Sequence, residues 1–69
     1  MKKRRRRLDH YDKKIIHYLG KKGEANTNQV AETVGISWLT AKKHLKKLHE
    51  MGYIYAVKQG EIIYWELDY

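Results

Sequence analysis

Apolar residues recur with a helical period through the first two thirds of this chain and then alternate along the last third, which predicts helices followed by strands. Leu8, Tyr11, Ile15, Ile16 and Leu19 follow helical spacing behind Asp9, an N-cap residue with Asp12 in the first turn, and this helix should end between Gly20 and Gly23. Asn26 with Gln29 three residues on resembles a capping box. Val30, Ala31 and Val34 then form the apolar side of a short second helix closed by Gly35. Only Ile36 separates that glycine from Ser37, whose hydroxyl can cap a third helix, so the second and third helices must meet in a tight angular turn. Along the third helix Ala41, Leu45 and Leu48 recur at i, i+4 and i+7 and turn inward, and Gly52 supplies the left-handed residue that ends it.

Beyond Gly52 the residues become β-branched and aromatic. Segments 53–58 and 61–67 flank Gln59-Gly60 and read as a hairpin around a two-residue loop. With Lys58 opposite Glu61, one side collects Ile54, Ala56, Ile63, Trp65 and Leu67 and should close the core. Tyr53, Tyr55, Val57, Ile62 and Tyr64 fall on the other side, a large apolar area for so small a protein to leave in water, and one suited to self-association as a homodimer. Glu24-Ala25 is expected to add a very short strand between the first two helices. The fold class is therefore α+β, three helices with a C-terminal hairpin.

Length and charge add an organisation to that pattern. Residues 8–69 read as one domain, and residues 1–7 as a disordered basic tail, because Lys2, Lys3, Arg4, Arg5, Arg6 and Arg7 cannot join a core. Of the net charge of +7, those six cations account for all but +1. The remainder is segregated: 37–49 carries four lysines and no acid, whereas 61–69 carries Glu61, Glu66 and Asp68 and no base, so one face is turned toward an anion. A tail of this kind binds phosphates or lies in a minor groove.

Several chemistries are excluded by what is absent. Without cysteine there is no disulfide framework, thiolate metal site or cysteine nucleophile, and an intracellular, cytoplasmic setting fits best. No apolar run approaches the roughly 18 residues that cross a bilayer, so no membrane is expected as a partner. His10 and His17, seven apart, lack the spacing of a ligand pair, and His44 and His49 have no nucleophile beside them. Ser37 is the only serine and is better used as a cap. No enzyme, cofactor or metal is expected.

Helix, helix, tight turn, helix, hairpin is the order of a winged helix-turn-helix domain. The run from Gly23 to Leu67, with NTNQVAETVGIS, LTAKKHLKKLHEMGYI and a hairpin ending IYWEL, resembles the ArsR-like and MarR-like regulators. The first helix also resembles that of Lrp-like regulators. The resemblance implies a small prokaryotic, archaeal or viral regulator whose third helix, residues 37–50, lies in the major groove of double-stranded DNA with the hairpin as a wing. It implies base-facing roles for Trp38, Leu39, Thr40 and Lys43, and backbone roles for Thr27, Ser37, Lys42, Lys46, Lys47, Lys58 and Gln59. A two-fold dimer would set its third helices about 34 Å apart, one turn of DNA. Two departures stand out: the reading face has no arginine or glutamine, and no C-terminal helix of the kind ArsR-like relatives use to dimerise follows the hairpin.

Three functions follow as expectations. The first is a sequence-specific transcriptional regulator, associated with the nucleoid or, for a viral protein, working in the host cytoplasm, with the transcription machinery as a further partner. The second is a winged-helix module for protein contacts through the tyrosine face. The third is a non-specific architectural or RNA-binding protein driven by the tail.

Overall fold

Reciprocal capping starts the first helix, α1 (His10–Lys22): the Asp9 carboxylate accepts the Asp12 backbone amide at 2.9 Å and the Asp12 carboxylate accepts the Asp9 amide at 3.0 Å. The computed structural model describes residues 8–68; the basic run Lys2 to Arg7 lies outside the described residues. A short strand β1 (Glu24–Asn26) leads into α2 (Thr27–Val34), where Asn26 and Gln29 form the second capping box, at 2.8 and 3.0 Å. Ser37 caps α3 (Trp38–Glu50), its Oγ accepting the Thr40 amide at 3.1 Å. Left-handed glycines close α2 and α3, Gly35 at φ 84° and Gly52 at φ 85°. In each case the next residue donates back into the last turn, Ile36 to the Ala31 carbonyl and Tyr53 to that of Leu48.

Strands β2 (Ile54–Gln59) and β3 (Ile62–Leu67) form the hairpin, and β1 pairs with the other edge of β3, giving an antiparallel sheet in the order β1-β3-β2. Its loop is Gly60-Glu61 rather than Gln59-Gly60, and Lys58 faces Ile63. The reason is local: Gly60 has φ 64°, and a tight hairpin turn with one left-handed residue places it first in the loop, which draws Gln59 into the strand. Because this differs from the expected register by two residues, every side chain of the paired residues 54–59 and 62–67 keeps its expected face.

The core joins Ile15 and Leu19 of α1, Val30 and Val34 of α2, and Ala41, Leu45 and Leu48 of α3 to Ile54 and Trp65 of the sheet. Three expectations fail at its margin. Tyr11, though helically spaced, is exposed, whereas Tyr53 packs against the core instead of joining the outer face. Ile63 and Ala56 sit on the inner side of the hairpin but remain exposed, because the wing runs past the helices and its tip is left uncovered by the described residues. Asp12 is the one buried charged residue among those described.

Candidate nucleic-acid interface

One stripe of α3 is spent on the core, so its other sides are free to present Trp38, Leu39, Lys42, Lys43 and Lys46. Trp38 and Leu39 are 48% and 59% exposed, a large apolar area on the first turn of a helix otherwise lined by ammonium groups. Lys42 lies over the Trp38 ring, 5.1 Å from its centroid, a contact worth about 0.5–1 kcal/mol at an exposed site. Thr40 is half-buried: its Oγ accepts the Ser37 hydroxyl at 2.9 Å, which leaves its own proton to donate outward.

Alongside runs a groove of about 360 Å³ between the start of α2, the start of α3 and the wing. Trp38 and Lys42 form one wall, Ile62 and Ile63 the other, and Asn26, Thr27 and Asn28 one end. Trp65 is its floor, and the indole Nε1–H donates to Thr27 Oγ1 at 3.0 Å. The Thr27 side chain thus holds the floor in place, and its backbone amide is offered at the α2 N-terminus. Lys58 and Gln59 are exposed beyond this groove at the tip of the wing.

Lys47 departs from its expected place at phosphates. Its ammonium pairs with the buried Asp12 carboxylate and lies 3.8 Å from Asp9, because this position of α3 faces α1 rather than solvent. His44, one turn earlier, donates Nδ1–H to the other Asp12 oxygen at 2.8 Å. Burial pushes the Asp12 carboxyl up, but the Lys47 ammonium, the Asp9 amide and His44 outweigh it and hold the group below its ordinary value of 3.8. Asp9, Asp12 and His44 bring ligand atoms within 4.8 Å of one another, yet the Lys47 ammonium and the capping amides already use those carboxylate oxygens. This donor set is occupied by the protein's own groups.

On the outer side of the sheet Tyr55 and Ile62 are exposed, while Val57 and Tyr64 are half-buried. The Tyr55 hydroxyl donates to Glu66 Oε1 at 2.9 Å, a bond that raises the phenol above its ordinary value. Sequence reading missed Ile63 and Asn28 as groove residues. Strand alternation assigns a face but not how far the core extends along it, and Asn28 carried no signal at all.

The sequence profile described as winged helix-turn-helix DNA-binding matches residues 8–55. Among curated protein sequences none matches the chain. Solved structures do. A zinc-responsive MarR family member from Lactococcus lactis superposes with a TM-score of 0.82 at 24% identity, over 94% of this chain and 46% of that one. The homodimeric winged helix-turn-helix DNA-binding domain from Mycobacterium bovis gives 0.80 at 24% identity, over 86% and 54%. The Zα domain of a Carassius auratus protein, solved in complex with Z-DNA, gives 0.77 at 22% identity, over 84% and 92%. The chain therefore spans about half the length of the first two and nearly all of the third.

Proposed function

This chain belongs to the winged helix-turn-helix DNA-binding family, and from that premise we propose that it is a small transcriptional regulator that binds double-stranded DNA with α3 in the major groove. One observation carries the reading: Trp38, Leu39, Lys42, Lys43 and Lys46 stay exposed on one helix, beside the wing and the N-terminal end of α2. Trp38, Leu39, Thr40 and Lys43 face the bases. Lys42 and Lys46, with Ser37, the Thr27 amide, Lys58 and Gln59, meet the backbone. Lys47 is removed from that set by its pairing with Asp12.

Specificity on this face comes from apolar contact. Lysine can pair with guanine, whereas Leu39 offers no hydrogen bond and Trp38 only its indole N–H, and the large apolar area of the two suits thymine methyl groups. The basic tail adds phosphate contacts, each worth about 0.9 in the salt slope on B-form DNA. Two copies joined through Tyr55, Val57, Ile62 and Tyr64 form the two-fold dimer, in a cytoplasmic setting.

Shape reading of a left-handed duplex is the second reading, favoured by a reading face without arginine or glutamine and by the near-complete coverage of the Zα domain. Selection of bound duplexes from a random pool, with excess random competitor and a left-handed alternating CG duplex as a separate probe, tests both. Recurrent enrichment of one site is the expected result. Preference for the left-handed probe would replace it with the second reading, and no enrichment of either would overturn sequence-specific recognition.

A further inference from the structure

We propose that the outer face of α1 is a second polyanion-binding surface, which takes the phosphate backbone of a nucleic-acid segment other than the one met by α3 and the wing. Asp12 is the only acid in α1, and it is turned inward onto Lys47 and His44. What α1 offers to solvent is cationic: Lys13, Lys14, Lys21 and Lys22 are exposed, with His10 and His17 between and beside them. They rim a groove of about 680 Å³ floored by Tyr18 and by Val34 at the end of α2, and among the described residues no carboxylate lines it. The groove beside α3 has instead one lysine, Lys42, against one acid, Glu61. Of the two, the one on α1 is the more cationic.

The two grooves lie at opposite ends of α2. Asn26 to Asn28 border one and Thr33 with Val34 the other, and the eight residues of α2 span about 12 Å. The two grooves share no lining residue.

Charge identifies the occupant. Lysine ammoniums are point charges that only donate, and these four are spread over about 14 Å of helix axis, a line of charge that suits the closely spaced phosphates of a polynucleotide better than a single compact anion. Tyr18 and Val34 give sugars and bases an apolar floor. A chain holding one duplex on α3 and another along α1 bridges them; the bridge rests on the reading of α3 given above, but phosphate binding by α1 does not.

The test uses the full chain and two sets of variants. One carries Lys13→Glu, Lys14→Glu, Lys21→Glu and Lys22→Glu, with a matching Lys→Gln set that removes charge without adding acid; the other carries Lys42→Gln, Lys43→Gln and Lys46→Gln. Circular dichroism checks folding, and two binding readouts follow: anisotropy of one labelled duplex across salt, and capture of a labelled duplex by protein already bound to bead-held duplex. Both α1 sets should keep single-duplex binding within about threefold, lose second-duplex capture at least about tenfold, and lower the salt slope of that capture by about 0.9 for each phosphate no longer neutralised. Capture unchanged in the α1 sets, or none in the unaltered chain, overturns the proposal. So does polyglutamate displacing the captured duplex at lower charge concentration than competing DNA, since the face would then suit an acidic protein. Failure of the α3 reading shows elsewhere, as loss of site enrichment while the α1 variants still change the salt slope.

Discussion

His44 Nδ1 on α3 lies 2.8 Å from the buried Asp12 Oδ1 on α1, and the Lys47 ammonium takes the second carboxylate oxygen. Helix α3 is therefore tied to the scaffold by a charged contact as well as by Ala41, Leu45 and Leu48. Apolar packing tolerates small rotations of a helix about its own axis; a carboxylate shared by two donors one turn apart does not. Removal of either side of such a pair leaves a charge in the interior without its counterpart.

Asp12→Ala should thus cost about 3–5 kcal/mol, since it strands the Lys47 ammonium and also removes half of the α1 capping box. Urea unfolding measures this. A loss below about 1 kcal/mol would show that Lys47 relaxes to solvent at little cost.

Acid should weaken the fold through the same residue. Asp12 is held below its ordinary 3.8, so the folded state binds its proton less readily than the unfolded chain. The stabilisation is complete above the unfolded value and lost as pH falls through the lower folded value. Denaturation midpoints followed downward from about pH 6 should drop steeply below pH 3.8, and Asp12→Asn should remove that part of the slope.

Thr27→Val keeps the shape of the side chain but removes the acceptor for the Trp65 indole, leaving a buried N–H unpaired at a cost of about 1–3 kcal/mol. In a Trp38→Phe background the remaining tryptophan fluorescence belongs to Trp65 alone. Its emission should shift as the groove floor loosens, whereas unchanged emission and stability would mean that the bond contributes little.

Trp38 separates stability from recognition. Because half of it is exposed, Trp38→Ala should change unfolding by only about 0.5–1 kcal/mol, the worth of its contact with Lys42. DNA affinity should fall about tenfold, with site preference altered. Lys46→Gln should instead weaken all duplexes alike and lower the salt slope by about 1. Equal effects on every sequence from Trp38→Ala would remove it from the base-facing set.

The proposed self-association through the outer sheet face predicts that Ile62→Asp breaks the dimer, since it puts a charge into the apolar patch without touching the core. Sedimentation of the unaltered chain at tens of micromolar without DNA should show a dimer and that of the variant a monomer. A monomer in both would leave the face free for another partner.

The legible part of this protein was its local part. Both capping boxes, the Ser37 cap, the closing glycines and the inward stripe of α3 follow from contacts between residues within about four positions, and there sequence and structure agree. The face assigned to each paired hairpin residue also held, Tyr53 just outside the strand excepted, because a period of two survives the two-residue change of register. For the candidate site the sequence already showed which residues share α3 and the hairpin tip, and Trp38, Leu39, Lys42, Lys43, Lys46, Lys58 and Gln59 are exposed there. What tertiary packing alone decided lies across long stretches of chain: that Lys47 turns to Asp12 rather than to solvent, that Thr27 holds Trp65, and that Ile63 escapes the core. A lysine at a given helical angle reads the same in sequence whether water or a second helix stands opposite it. Only the placement of α1 against α3 decides which, and that placement is set by the whole core at once rather than by any segment within it.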